Sequence, residues 1–284
     1  MKVLLQGVAL ALAANDAQKH GFQSMFIKDW YGKQGRWWPL STCGFHCAAS
    51  PGCMHCLGHI AQKALGKRLR AKFLSENLLM PLKRWKKRTV IFVCPQGDLF
   101  HPEIAAIFIA QVFAVMAWRD DHVYIVLTKR ATRMEELLCD PNFEKMVLKE
   151  GCKLFGDEFT LESDWGRNLL VGVSVEDQAR MVRAEILPRL PKRFKKVLFT
   201  APLLEALIIP PEVLKCLSWV VCNRERGSTV CDPRPCKVEW IESLLEQCRE
   251  ASVPFFLEDK PEKKIVWALG ELPREYPPIL ARKY

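Results

Sequence analysis

Nowhere in the 284 residues do about 20 consecutive apolar positions occur, the length a membrane-spanning helix needs. The nearest approach, residues 104–118, is interrupted by Gln111 and flanked by charge, which predicts a buried helix and no membrane partner. Acidic residues are the second shortage: 32 Asp and Glu face 42 Lys and Arg, leaving a net charge of +10. That balance favours an anionic partner such as nucleic acid, a nucleotide or a phosphorylated substrate, without choosing among them. Glycine, at 15 residues, is far too scarce for a collagen-like chain, and a hydrophobic share of 49% excludes disorder. Twelve cysteines are too few for a disulfide scaffold, yet many for a cytosolic enzyme without a metal.

What is present begins with a short apolar run. VLLQGVALALAA follows Met1-Lys2 and reads as a weak secretory leader or as a buried first helix carrying Val3, Leu4, Val8, Leu10 and Leu12. Gln6, the single cation before the run and the thiol cluster downstream favour the helix and a reducing, cytoplasmic setting. Residues 24–62 read as irregular. Residues 63–88 form a basic stretch, with ten Lys or Arg against the lone acid Glu76, and Trp85 sits inside KRWKKR. An aromatic among cations suits base stacking with phosphate contacts, and a plain solvated helix face is the alternative. Because the stretch follows the cysteine loop, it is expected to border the same mouth.

Beyond residue 88 the pattern alternates. Strands are predicted at 89–94, 123–128, 169–175, 196–201, 217–222 and 253–258. Helices are predicted at 102–118, 131–139, 141–150, 176–187 and 238–251, with a short one after 201 and a loop insertion at 151–167. Strands alternating with helices indicate an α/β fold with one parallel sheet, as an open or partial (β/α) barrel or, second, a doubly wound sheet. The expected division is an N-terminal extension at 1–23, one domain at 24–260 and a C-terminal extension at 261–284.

The densest chemistry is STCGFHCAASPGCMHC, residues 41–56, with Cys43, Cys47, Cys53 and Cys56 interleaved by His46 and His55. Thiols so close on a Pro/Gly loop converge on one metal centre without long chain closure. A [4Fe–4S] cluster on three cysteines, a four-ligand zinc site and plain reduced thiols all fit the spacing. Cys231 and Cys236 read as loop thiols or as ligands of a second site. Cys94, Cys216, Cys222 and Cys248 read as small buried hydrophobes, and Phe100, Phe108 and Phe113 as core.

The segment WWPLSTC…SPGCMHC resembles the Trp-x-Pro…Gly-Cys…Ser-Pro-Gly-Cys-x-x-Cys segment of the phage-type three-Cys-motif family of radical-SAM-like proteins. Six further stretches resemble that family in the same order: IFVCPQGDLFH (91–101), LTKRATRM (127–134), LLVGVSVEDQ (169–178), LFTAPLL (198–204), LSWVVCNRERG (217–227) and VPFFLED (253–259). The resemblance spans residues 27–259 and implies a barrel of the radical-SAM type. It also implies Cys43, Cys53 and Cys56 as ligands of a [4Fe–4S] cluster, with S-adenosylmethionine as cofactor and an electron donor as partner. Cys47 then falls in an insertion. The chain departs from the pattern at Leu57 after the last Cys, at Ala201 in place of Glu, at Asn223-Arg224 in place of Gly-Gly, and at Glu258-Asp259 in place of Lys-Gln.

The polar residues at predicted strand ends, Asp98, Thr128, Lys129, Arg130, Ser174, Glu176 and Glu225, are the expected cofactor-binding set. A carboxylate would hold the cofactor's amino group or ribose, and Lys129 or Arg130 its carboxylate. Each also has a bland reading: Asp98, Ser174 and Glu176 suit helix caps, Lys129-Arg130 suits a solvated turn, and His101 suits a structural hydrogen-bonder. The function expected is radical chemistry on an anionic substrate. The alternative is a non-catalytic, metal-stabilised protein that binds nucleic acid or another protein.

Overall fold

A computed structural model describes residues 35–40, 50, 71, 73–95, 97–225, 232–258 and 273–281. Seven parallel strands run in sequence order across one sheet and form a half-barrel: β1 (Gly35–Trp37), β2 (Val90–Val93), β3 (Val123–Thr128), β4 (Leu169–Ser174), β5 (Lys195–Thr200), β6 (Leu217–Cys222) and β7 (Phe255–Leu257). Helices connect them: α1 (Met80–Arg84), α2 (Ala106–Trp118), α3 (Ala131–Leu138), α4 (Pro141–Phe155), α5 (Pro211–Cys216) and α6 (Val238–Glu250), with a short α7 (Pro278–Ala281) at the end. Strictly sequential order follows when every crossover has the same hand.

Both faces of the sheet are dry, as parallel strands require. On the outer face Ile91, Tyr124, Val126, Leu169, Val171, Leu198 and Val220 pack with the buried side chains of the helices. The alternate residues Phe92, Ile125, Leu170, Val197, Phe199, Trp219, Val221 and Phe256 form a separate inner core. Its rings meet edge to face, Phe199–Trp219 at 6.0 Å and Trp219–Phe256 at 6.1 Å. Gly172, in the centre of β4, permits this curvature: a Cβ there would lie 1.9 Å from the Val197 carbonyl oxygen.

Residues 273–281, within the expected C-terminal extension, complete the inner core. The Leu257 amide donates to Pro273 O at 2.9 Å and the Glu275 amide to Phe255 O at 2.9 Å, which covers the β7 edge. Trp219 Nε1 donates to Glu275 O at 2.9 Å, Tyr276 lies 5.1 Å from Phe256, and Arg88 donates to Ile279 O at 2.9 Å. Arg88 precedes β2, so this segment closes the half-barrel at the N-terminal ends of its strands.

The strand and helix boundaries expected from sequence hold to within a few residues, with informative exceptions. The irregular region 24–62 contains β1, whose Trp37 is fully buried. The helix expected from Pro102 starts at Ala106, because residues 98–104 form turns on the Asp98 and His101 carbonyls instead. The expected loop at 151–167 begins as the last turn of α4, and it buries Phe159 and Trp165. The Phe159 ring lies on Gly151, where a Cβ would meet it at 2.0 Å. The helix expected at 176–187 is a 3-10 helix over Gln178–Arg189, capped by Asp177, whose side chain accepts from the Arg180 amide at 3.0 Å. Among the described residues no helix is long and apolar enough to cross a membrane; α2 has 13 residues.

Candidate functional site at the carboxyl ends of the strands

Loops that follow parallel strands gather at one end of the sheet, and that end carries the buried carboxylates Asp98, Glu176 and Glu258. Asp98 follows β2, Thr128 ends β3 with Lys129 and Arg130 next, Ser174 ends β4 with Glu176 beyond, and Glu225 follows β6. All the polar residues expected at strand ends therefore stand at one end.

Asp98 is buried and accepts four donors. These are the Phe100 amide at 3.0 Å, Thr128 Oγ1 at 2.6 Å, the Lys129 amide at 3.2 Å and Arg130 Nη1 at 2.7 Å. The bonds from residues 128–130 lock the loop after β2 to the loop after β3. Asp98 does not cap α2, whose start has no side-chain cap. Beside it, the buried Cys94 thiol is pushed well up by burial and by the Asp98 charge, so it stays protonated and behaves as a hydrophobe.

Glu176 is fully buried. Lys129 pairs with its Oε1 and Arg183 Nη1 with its Oε2 at 2.9 Å, while Ser50 Oγ donates to Oε1 at 2.5 Å. Burial alone would raise this carboxyl's pKa. The Lys129 charge, the hydrogen bonds from Lys129 and Ser50, and the Arg183 charge outweigh burial and hold it below the ordinary carboxylate value. Arg183 Nη1 also donates to Ser174 O at 2.9 Å, which ties the 3-10 helix to the end of β4.

Lys129 and Arg130, expected to meet a cofactor carboxylate, thus each serve a carboxylate of the protein. Glu225 is brought to the same end but into a separate cluster: Arg234 reaches its Oε2 through Nε at 2.7 Å and through its backbone amide at 2.9 Å. His101 is buried, with Nδ1 accepting from the Glu103 amide at 3.1 Å, as its structural reading has it. Phe100, Phe108 and Phe113 are core, and Cys94, Cys222 and Cys248 are buried, with burial pushing Cys248 up to about 12. Cys216 is a correction, being only partly buried because it closes α5 ahead of β6.

Two participants were not among the expected site residues. Ser50 entered only as a flank of Pro51-Gly52-Cys53, and its burial against Glu176 is a long-range contact that no local pattern encodes. Arg183 lies on a surface-type segment whose pairing depends on the curvature of the sheet. The expected ligands Cys43, Cys53 and Cys56, with Cys47, His46 and His55, lie outside the described residues. Among the described residues no group of three or more His, Cys, Asp or Glu is placed to hold a metal ion.

The described part of the basic stretch stands elsewhere than expected, and Lys63, Lys67, Arg68, Arg70 and Lys72 lie outside the described residues. Its described cations, Lys83, Arg84, Lys86, Lys87 and Arg88, precede β2 and so flank the amino ends of the strands, opposite the buried charges. Trp85 is half-buried and lies against β1: a Cβ on Gly35 would come within 2.8 Å of its ring. Its carbonyl accepts from Arg119 at 3.1 Å.

Neither a curated protein nor a solved structure matches the chain. One family model does, over residues 30–266, which takes in the whole sheet from β1 to β7. The chain belongs to that family, DUF5131, described as proteins of unknown function.

Proposed function

We propose that the protein is an iron–sulfur protein of the radical-SAM type, with Cys43, Cys53 and Cys56 holding a [4Fe–4S] cluster at the carboxyl ends of the strands. The observation that supports this most is the Ser50–Glu176 bond. Cys53 follows Ser50 by three residues, a reach of about 11 Å even in fully extended chain. A cluster held by Cys53 would therefore lie near the end of the half-barrel that carries Asp98 and Glu176. Three thiols suit the cluster, leaving its fourth iron for S-adenosylmethionine. With both bound, the centre would supply a 5′-deoxyadenosyl radical for hydrogen abstraction from substrate.

The protein's own part is positional. Glu176, kept anionic by Lys129 and Arg183, fixes Ser50, three residues before Cys53. Asp98, with Thr128 and Arg130, keeps the neighbouring loops from moving against it. Cytoplasmic location and an electron donor as partner belong to the same reading. Anaerobic reconstitution followed by assay for 5′-deoxyadenosine tests it. Brown protein that releases 5′-deoxyadenosine from added S-adenosylmethionine in the presence of a reductant is expected. Colourless protein holding stoichiometric zinc would overturn the reading in favour of a structural metal.

A second reading rests on the opposite end. Lys83, Arg84, Lys86 and Lys87 are all exposed there, and such a ridge suits the phosphates of a nucleic acid. Gel-shift titrations of DNA and RNA at two salt concentrations test it, with a steep loss of binding in salt expected.

A further inference from the structure

Lys83 and Arg84 close α1, and Lys86 and Lys87 follow it across Trp85, whose φ of −110° and ψ of 111° are extended. All four are exposed, and among the described residues no acidic side chain pairs with any of them. The acids of the loops before β3 and β4 are already taken. Arg119 holds Asp121 through two bonds, at 2.7 and 2.9 Å, and Arg167 holds Asp164 at 2.8 Å and Asp120 at 2.5 Å. Arg119 also fixes the ridge itself, donating to Pro81 O at 3.2 Å and to Trp85 O at 3.1 Å. Four cations without an anion therefore stand on a backbone pinned at both ends of α1, so an anion that binds there has little chain left to order.

The apolar side chains of the segment turn inward. Met80, Leu82 and Trp85 pack against the core, which leaves the ridge neither an apolar face to sink into a bilayer nor the apolar centre of a protein interface. The Trp85 ring is engaged as well: β1 lies against it at Gly35, and the Arg84 guanidinium stands over it, 5.9 Å from its centroid. A single strand is held by bases stacked on such a ring together with its phosphates, and here the platform is occupied. A duplex keeps its bases stacked on one another and presents one charge per roughly 1.7 Å of its axis. From Lys83 to Lys87 the chain spans at most about 14 Å, along which a duplex carries about eight phosphates.

We propose that this ridge docks the phosphate backbone of double-stranded nucleic acid and reads no bases. Duplex form and indifference to sequence are added to, and rest on, the reading that nucleic acid is the ridge's partner. The purified full-length protein is titrated by fluorescence anisotropy with short labelled duplexes of two unrelated sequences, and with their separate strands, at two salt concentrations. The duplexes should bind alike, and about fivefold or more tighter than the single strands. Replacing Lys83, Arg84, Lys86 and Lys87 together by Gln should weaken duplex binding about tenfold or more and lower the salt slope by about 3–4 units. Trp85→Phe, which keeps a ring on β1, should bind duplex as the wild type does. Circular dichroism melts separate loss of binding from loss of fold. Single strands bound as tightly as duplex, a strong preference between the two sequences, or weaker binding by folded Trp85→Phe would overturn the duplex assignment alone. Duplex binding untouched by the fourfold Gln variant, or binding of phosphatidylserine vesicles with none of any nucleic acid, would overturn both that assignment and the reading beneath it.

Discussion

The two ends of the half-barrel handle most of their charge in opposite ways. At the carboxyl ends of the strands, Asp98 and Glu176 are buried and take seven donors between them, from residues as far apart as Ser50 and Arg183. At the amino ends the cations of α1 and its successor loop stand in solvent, and ion pairs such as Arg167–Asp164 are more than half exposed on both sides, while the buried Lys196 donates to a backbone carbonyl, Pro191 O, at 2.8 Å. The difference teaches where sequence change is expensive. A buried charge must be paired or its desolvation is uncompensated, whereas an exposed one exchanges freely with water.

The largest effect expected is at Glu176. Removing it as Glu176→Leu leaves Lys129 and Arg183 side by side without their anion and should cost about 3–5 kcal/mol of stability in urea unfolding. Its counterpart Arg167→Ala should cost less than about 1 kcal/mol. Near-equal losses would erase the contrast between the ends.

Gly172→Ala follows in size. Its added methyl meets the Val197 carbonyl, which belongs to the backbone and cannot rotate away, so a loss of about 2–3 kcal/mol or more is expected. Gly156→Ala is the informative control. There a Cβ meets nothing within 4 Å, and only the backbone opposes it, φ 84° with ψ −171° being a region essentially reserved to glycine, for about 1–3 kcal/mol.

Acid should undo the two ends in different windows. At the amino end His122 is fully buried; burial lowers its pKa below the usual 6.5, opposed in part by the Asp121 charge. The unfolded chain then binds a proton that the fold resists, so stability declines as pH falls below about 6.5. Glu176, held below 4.5, contributes stability that is present above that value and lost only at lower pH. Unfolding free energy measured against pH should therefore slope first through His122, and His122→Phe should flatten that upper window alone. Glu176→Gln should flatten only the lower one.

The smallest change in stability should come from Lys83, Arg84, Lys86 and Lys87 replaced together by Gln, within about 0.5 kcal/mol of wild type by thermal melt. The same variant should flatten the salt dependence of any nucleic-acid binding by several units of slope. Trp85→Ala, in contrast, should lower the melting temperature, because the indole packs on β1; a fall in binding with that variant would not report base stacking.

Much of the fold is legible in the chain. VYIVLT and LSWVVC are continuous apolar runs and become β3 and β6 without adjustment, because a strand dry on both faces needs no polar position. β1 was not legible. GRW is too short for a period to register, and it is a strand only because β2 supplies its partner. Of the site, the residue types at the strand ends could be read, since parallel strands deliver their following loops to one place. Their pairings could not. That Lys129 serves Glu176 while Arg130 turns to Asp98, that Ser50 crosses 126 residues to reach Glu176, and that Asn223 lies beside Glu258 depend on which strands are neighbours and how far the sheet curves. Local sequence determined the strands, the helices and the charge each loop carries. Only the tertiary structure decided which charges share a site, because pairing is set by distance in space, and that distance exists only once the sheet has closed around its inner core.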